Sequence, residues 1–499
     1  MSYPGGIIER MCETLDDAAL VALVEERTRA EAVAGAERLA AIAELTRRRL
    51  DAAEEESSRW VCDPWAAASA EVSAAMGIGP RAASKEMCIG LALRDRLPKV
   101  GALYAEGKLS SRVVSTITWR TRLVVGSDVL ARIDADIAAA ATHWGGLSGE
   151  GLEQAVDIVV DRHDPAAVIK SRVAARQRDI SIGCPDDPSA LGSIWGRLLA
   201  SDAAVLKRRL DQMVAGVCED DPRTAGQRRA DAMGALGAGA ETLACQCGKP
   251  DCPKAVRDAR ADGVVVHIVA NAAALEQAKG EPPAAGEPID ATEEETSKPA
   301  PEKSPVALMI GGGIVPTSLL AELLRMGAKV TTVAPPQEAE PRYRPSTALD
   351  RFVRVRDQMC RFPGCTRAAV YADVDHTVAH PDGPTHPSNL KCLCREHHLL
   401  KTFWSGRGGW SDLQLPDGTV VWTAPTGRQY RTKPGSAWLL PGWDTSTAEL
   451  PTVATTPTSP QRTLKTPKRR RTRDAERNAR IKAERARNQA NIAPRNVPP

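Results

Sequence analysis

Five of the eight histidines of this 499-residue chain fall in one stretch, "DVDHTVAHPDGPTHPSNLKCLCREHHLLKTF", residues 373–403, interleaved with Cys392 and Cys394. Imidazoles make a poor apolar core, so this segment has to be organised around ligands and hydrogen bonds. Just upstream, "CRFPGC" sets Cys360 and Cys365 on a Pro-Gly turn, while "CREH" sets Cys394 and His397 three apart at the start of a helical segment. Two ligand pairs about thirty residues apart are what a tetrahedral zinc site needs, each pair supplying one edge. Cys392 could replace Cys394, and period-two alternation along "NLKCLC" points neighbouring positions to opposite faces.

Composition says where such a site can work. Twelve cysteines would suit a disulfide framework, but "MSYPGGIIERMCETLDD" has neither the basic nor the apolar region of a signal peptide. The most apolar stretch, "VALMIGGGIVPTSLLAELL" at 306–324, is interrupted by three glycines and a proline. The expectation is a cytoplasmic protein, in contact with no membrane, whose closely spaced cysteines hold metal. The formal net charge is only +3, yet residues 461–499 carry thirteen Lys/Arg against three acidic residues. A basic tail on a mildly acidic body points to a polyanionic partner.

Residues 14–240 read as helical, with "TLDD" at 14–17 as a capping box and Leu39, Ile42, Leu45 and Leu50 as a helical stripe. Within them, 71–97 has the outline of a helix-turn-helix turning at Gly77–Pro80, with Arg81, Ser84 and Lys85 on its second helix. The plainer reading is two packed helices. The full division is a helical domain over 1–270, a Pro/Glu/Ala-rich linker over 271–305 and a small connecting region over 306–342. After these come the histidine-rich module over 343–405, short β-hairpins over 406–445 and a disordered basic tail over 446–499, whose Arg-rich last stretch can become an amphipathic helix or stay disordered. The fold class expected is mainly α, with a large N-terminal helical domain, a small C-terminal zinc module and the disordered tail. "GALYAEGKLS" at 101–110 has the wrong glycine spacing for a phosphate loop, and "GALGAG" at 234–239 lacks the preceding strand of a dinucleotide site.

One histidine serves the zinc, which leaves His376, His398, Asp375 and Asn389. Hydrolysing a phosphodiester requires a deprotonated water and a divalent cation to stabilise the phosphate and the leaving oxygen, and imidazole and carboxylate suit these tasks. The order Cys360, Cys365, "DH" at 375–376, "NL" at 389–390, "LC" at 393–394 and "HH" at 397–398, then Lys401, resembles the HNH endonucleases, the ββα-metal family. The resemblance implies His376 as general base, Asn389 as the residue orienting it, and Asp375 and His398 as ligands of a catalytic divalent ion such as Mg or Mn. It implies a structural zinc on Cys360, Cys365, Cys394 and His397, and a fold of strand "YADVDH", long loop, strand "LKCL" and helix "CREHHLLKTFW". A further histidine found in some members would fall at Thr402, and His380 and His386 match nothing essential and are expected in a solvated loop, the alternative being contact with phosphate. The order of parts, with "RRADAMGALGAGAETLACQCGKPDC" and "YRPSTALDRFVRVRDQMCRFPGC", also resembles an actinobacterial group in which a helical domain of unknown function precedes such a module.

The function implied is a metal-dependent endonuclease cutting double-stranded DNA. The alternatives are a catalytically silent zinc-containing DNA-binding protein and a nuclease acting on RNA or single strands. A second zinc site on Cys245, Cys247, Cys252 and His267 stands as a separate possibility against a reduced loop cluster.

Overall fold

The computed structural model describes residues 12, 15–168, 179–183, 193–255, 268–280, 307–309, 314–325, 328–404, 408–440, 442–450 and 466–492. Helix α1, Asp17–Asp51, begins where the Asp16 carboxylate accepts a hydrogen bond from the Ala19 N–H at 2.8 Å, while Thr14 of the expected capping box lies outside the described residues. A carboxylate at that position also complements the helix dipole. Leu39 and Ile42 of the expected stripe are buried, Leu45 is half-buried, and Leu50 at the helix end is exposed.

Against α1 pack α2 (Pro64–Met76), α3 (Pro80–Asp95) and α4 (Pro98–Ala105), and behind α3 and α4 stand α5 (Ser111–Arg120), α6 (Ser127–Ala140) and α7 (Gly149–His163). Three successive helices start on proline, whose fixed φ and missing N–H suit the first turn. The first turn of α4 has no local cap. Instead, the buried Asp134 carboxylate of α6 accepts from the N–H groups of Lys99 and Val100 at 2.9 and 3.1 Å. The shared core includes Met87, Leu97, Val100, Ile117, Ile133 and Val156. The helix-turn-helix candidate is the pair α2–α3, turning at Gly77 with φ 64°. Ser84 is engaged within the pair, accepting from Trp65 Nε1 at 2.8 Å, while Arg81 and Lys85 are exposed.

The 1–270 region is not helical throughout. Strands β1 (Asp179–Gly183) and β2 (Ser193–Arg197) form an antiparallel ribbon before α8 (Ala200–Ala215) and α9 (Ala225–Gly237). The expected linker is also corrected at its start. Strand β3 (Ile268–Ala270) pairs with β4 (Ala307–Met309), and α10 (Ala272–Gly280) packs Ala274 and Ala278 against α11 (Thr317–Arg325). Alanines that looked like linker composition are buried because a partner helix arrives from beyond the gap. Residues 281–306 lie outside the described set.

Helix α12, Thr347–Asp357, leads into the metal module: β5 (Asp373–His376), β6 (Leu390–Leu393) and α13 (Arg395–Phe403). Strands β5 and β6 are antiparallel with Asp375 opposite Lys391 and His376 opposite Leu390. A three-stranded meander of β7 (Ser411–Gln414), β8 (Val420–Thr423) and β9 (Gln429–Thr432) follows, its turns at Gly418 and Gly427.

The disordered-tail expectation fails for residues 466–492, which include helix α14, Arg473–Ile492. The helix lies on the N-terminal body, where Arg473 pairs with the buried Asp63 at 2.8 Å and Arg485 with Asp164 at 2.7 Å. Asn488 Nδ2 donates to the carbonyls of Ala166 and Val168, and Ile481 packs on the helical core. Distant carboxylates and open carbonyls order a segment whose own composition reads as solvated charge. Truncation after residue 465 should therefore lower the melting temperature of the helical body by several degrees, at roughly 2–4 °C per kcal/mol lost. Unchanged melting in calorimetry would show that the docked helix contributes no stability.

Candidate metal centre

A buried ionic knot sets the frame of the site. Asp357, the last residue of α12, accepts from Arg356 Nε at 2.8 Å, from Arg361 Nη1 at 2.9 Å and from the Cys392 N–H at 2.7 Å. Arg356 also donates to the carbonyls of Pro387 and Leu390, and Arg361 to that of Thr432. Burial alone would raise the Asp357 carboxyl, but Arg356 and Arg361 hold it below its ordinary value.

Past the knot, the left-handed Gln358 (φ 58°) turns the chain into the Cys360–Cys365 loop, where the Cys365 N–H bonds to Phe362 O at 3.1 Å. Gly364 has φ 75°, and a Cβ there would meet Ile78 O at 2.6 Å, so only glycine lets the loop sit on the α2–α3 turn. From the other side, Cys394 caps α13 and His397 lies in its first turn. The ligand atoms of Cys360, Cys365, Cys394 and His397 all lie within 4.8 Å of one another, and all four residues are buried. His397 Nδ1 stands 3.4 Å from Cys360 Sγ and 3.3 Å from Cys394 Sγ. A tetrahedral zinc with ordinary bond lengths would set such an S···N edge at roughly 3.5 Å. Three thiols and an imidazole at that spacing fit zinc. Phe362 stacks on the His397 ring at 4.0 Å between centroids and fixes its plane.

Cys392 is excluded from the cluster. It points from β6 into a separate core with Leu349, Phe352 and Val353, and Cys394 lies past the strand, where the alternation has ended.

The candidate catalytic residues meet on the other side of α13. His398 Nδ1 bonds to Asp373 Oδ2 at 2.8 Å, which turns Nε2 towards Asp375 Oδ1 at 3.4 Å. The other Asp375 oxygen takes Lys401 Nζ at 2.7 Å. Burial would raise the Asp375 carboxyl, but Lys391, Lys401 and His398 hold it low, so it is a charged acceptor. One carboxylate oxygen and one imidazole nitrogen are thus paired as two neighbouring donors, a set that suits a divalent ion with open positions. Thr402 bonds to the His398 carbonyl and offers no further ligand.

His376 is 5% exposed and stacks on Tyr343 at 5.4 Å. Its Nε2 lies 2.8 Å from Thr385 Oγ1, and that hydroxyl is 3.4 Å from the Tyr343 carbonyl. If the hydroxyl donates to the carbonyl, Nε2 carries the proton and Nδ1 keeps the free lone pair. Burial pushes this imidazole down to about 4, so it is neutral near pH 7.

Asn389 departs from the expected role. Its side chain does not hold the imidazole; Oδ1 accepts from the Val378 N–H at 2.8 Å and Nδ2 donates to the carbonyls of Val378 and Pro384 at 2.9 Å. The amide acts as a peptide surrogate that closes the loop carrying Thr385. His386 is also corrected, being buried with Nδ1 accepting from the Ser388 N–H, whereas His380 stays at the edge of Tyr343. Sequence reasoning missed Asp373, Thr385 and Tyr343. It missed Asp412 as well, which pairs with the buried Lys391 at 2.6 Å. Nothing local marks Asp412, since it arrives on β7 from a separate hairpin.

Cys360→Ser should lower zinc by one ion per chain and destabilise the protein at the α2 contact, because a closed site contributes folding energy directly. Full zinc with an unaltered melting profile would remove Cys360 from the ligand set.

Among the described residues no helix is long and apolar enough to cross a membrane. No solved structure matches the chain. Two Mycobacterium tuberculosis H37Rv proteins, described as uncharacterized protein Rv3776 and uncharacterized protein Rv2100, are each 52% identical to it. The aligned regions cover 97% of this chain in both cases, and 92% and 90% of the respective relatives. The family model for the domain of unknown function DUF222 matches residues 26–357, from α1 to the end of α12, and this chain belongs to that family.

Proposed function

We propose that this protein is a metal-dependent endonuclease of the HNH type that cuts double-stranded DNA. The observation that carries this reading is the strand–strand–helix unit in which Asp375 Oδ1 and His398 Nε2 face each other at 3.4 Å while His376 follows on the same strand. A purely structural zinc module would need only Cys360, Cys365, Cys394 and His397. A divalent ion bound by Asp375 and His398 would supply charge stabilisation at the phosphate and the leaving oxygen.

The chain's own residues would do the rest. His376 Nδ1 takes the proton of the attacking water, and the Thr385 hydroxyl holds the opposite nitrogen protonated and the ring in place. Asp373 fixes the His398 tautomer so that Nε2 is the donor. Lys401, bonded to Asp375 and to the His376 carbonyl, keeps the carboxylate ionised and the strand end in register.

The competing reading, a DNA-binding protein without catalysis, draws on that same Lys401 contact, which occupies one of the two Asp375 oxygens. Plasmid DNA incubated with purified protein and Mg²⁺ or Mn²⁺, against an EDTA control, separates the two. The wild type should nick or linearise the plasmid. His376→Ala should slow cleavage by about 10²-fold or more while zinc content and DNA affinity hold. Comparable nicking by the variant would sink the base assignment. Binding without cleavage by the wild type would favour the silent reading, and cleavage of RNA or single strands alone would move the substrate.

The tail enters as a docked cationic helix. Arg477, Arg480 and Lys482 are exposed on α14, with no aromatic residue between them to stack on bases. Such exposed cations suit phosphate contact rather than base reading. Replacing all three by Ala should flatten the salt dependence of DNA affinity by roughly one unit of slope per lost phosphate contact, leaving the cleaved sites the same. An unaltered slope would show that these cations do not touch DNA.

A further inference from the structure

We infer that the chain carries a second structural zinc site, formed by Cys218, Cys245, Cys247 and Cys252. It stands apart from the nuclease reading and from the buried centre at Cys360. His267 lies outside the described residues, and the fourth donor comes from the turn after α8, a position that spacing around "CQCGKPDC" does not reveal.

Three observations carry it. First, one sulfur from each of the four residues lies within 4.8 Å of the others, with Cys218 Sγ 3.1 Å from Cys245 Sγ. An S···S edge of a zinc tetrahedron is roughly 3.8 Å, and a disulfide bond is about 2.05 Å. Four sulfurs converging on one point match a shared ion, whereas a single bridge would leave two thiols beside it without purpose.

Second, the two segments are brought together by groups that are not ligands. The fully buried Asp221 side chain accepts from Arg223 Nη2 at 2.7 Å and from the Gln246 N–H at 3.0 Å. Arg223 Nη2 also donates to the Ala244 carbonyl at 2.7 Å. This clamp sets the Cys218 turn against Cys245 through contacts that neighbour the sulfurs on both strands of chain. The second segment then closes on itself, since the Cys245 N–H bonds to Lys254 O, the Cys252 N–H bonds to Lys249 O, and Gly248 turns at φ 69°.

Third, this part of the chain has little else to hold it. The fully buried apolar residues between α8, α9 and the loop are Met213, Ala232, Ala235 and Leu243. A core of that size is of the kind that structural metals supplement in small folds. An all-sulfur tetrahedral donor set selects zinc, or a single iron, over hard cations. The ion would tie the segment that follows α9 back to the turn between α8 and α9.

Metal content of the purified full-length chain tests the site. Elemental analysis should find about two zinc ions per chain in the wild type and about one in Cys218→Ser or Cys247→Ser. Cys88→Ser, altering an exposed cysteine of α3, should keep both, and Cys247→His, which retains a donor, should also keep both. Two ions in Cys218→Ser would overturn the assignment. So would a Cys218–Cys245 disulfide in unreduced peptides, or one ion in the wild type that Cys360→Ser removes. Should the serine variants prove insoluble, zinc X-ray absorption of the wild type decides. Two sites together give a mean above three sulfurs per zinc, and the Cys360 centre alone gives about three.

Discussion

The metal module depends on the Asp357 carboxylate buried between Arg356 and Arg361. It ties the end of α12 to β6 through the Cys392 N–H, to the Cys360 loop through Arg361, and through the same arginine to β9 at Thr432. A charge taken out of water costs several kcal/mol unless its hydrogen bonds are met, and removing one partner of such a group costs about 3–5 kcal/mol. Here Asp357 is satisfied by both arginines and the Cys392 N–H, and Arg356 by Asp357 and two backbone carbonyls, while Arg361 is held through its two Nη groups and leaves its buried Nε without a partner. The knot therefore sets a unique geometry, whereas an apolar cluster of that size could repack. The strand pairing that brings Asp375 and His376 beside α13 follows from where β6 is pinned.

The second dependence runs between the helical body and the module. Helix α2 is built largely of Ala and Ser and is buried on nearly every side. One face meets the N-terminal core through Ala68 and Val72. The other meets Phe362, Leu399 and Trp410 through Ala66, Ala70 and Ala74. Small side chains let two layers approach it closely, and Trp404 Nε1 donates to the Cys62 carbonyl at 2.9 Å to fix the seam. The Cys360–Cys365 loop, seated on the α2–α3 turn by Gly364, is thus part of the wall of the helical body. Disruption of the Cys360, Cys365, Cys394 and His397 cluster would be felt on both sides.

Much of the module was legible from residue order. Fixed Cys and His spacings carry information because a tetrahedral ion accepts few backbone paths between ligands, and β-branched or apolar runs bounded by Asn, Pro and Gly leave little choice of strand. Asp375 and His398 lie beside each other with His376 on the same strand, an arrangement that the resemblance implies. Asn389 was placed correctly in the chain, but its contacts lie with the loop backbone, because an amide finds peptide groups as readily as an imidazole. The tail misled for the opposite reason. Thirteen cations in thirty-nine residues read as solvated, yet Asp63 and Asp164, more than three hundred residues away in sequence, capture two of them.

The sequence by itself determined local chemistry: helices capped by Asp and opened by Pro, two metal-ligand pairs around a Pro-Gly turn and a paired strand, and a cationic C-terminal segment. Tertiary structure decided which distant groups complete each site. Cys218 joins the cysteines near 250, Asp412 reaches Lys391 from another hairpin, and Thr385 reaches His376 across a loop closed by Asn389. The physical reason is range. Capping, turn preference and ligand spacing act over a few residues and leave a periodic or punctuated signature. Pairing of buried charges, and the arrival of a distant fourth thiol such as Cys218, depend on positions set by the packed core, which short spacings along the chain do not record.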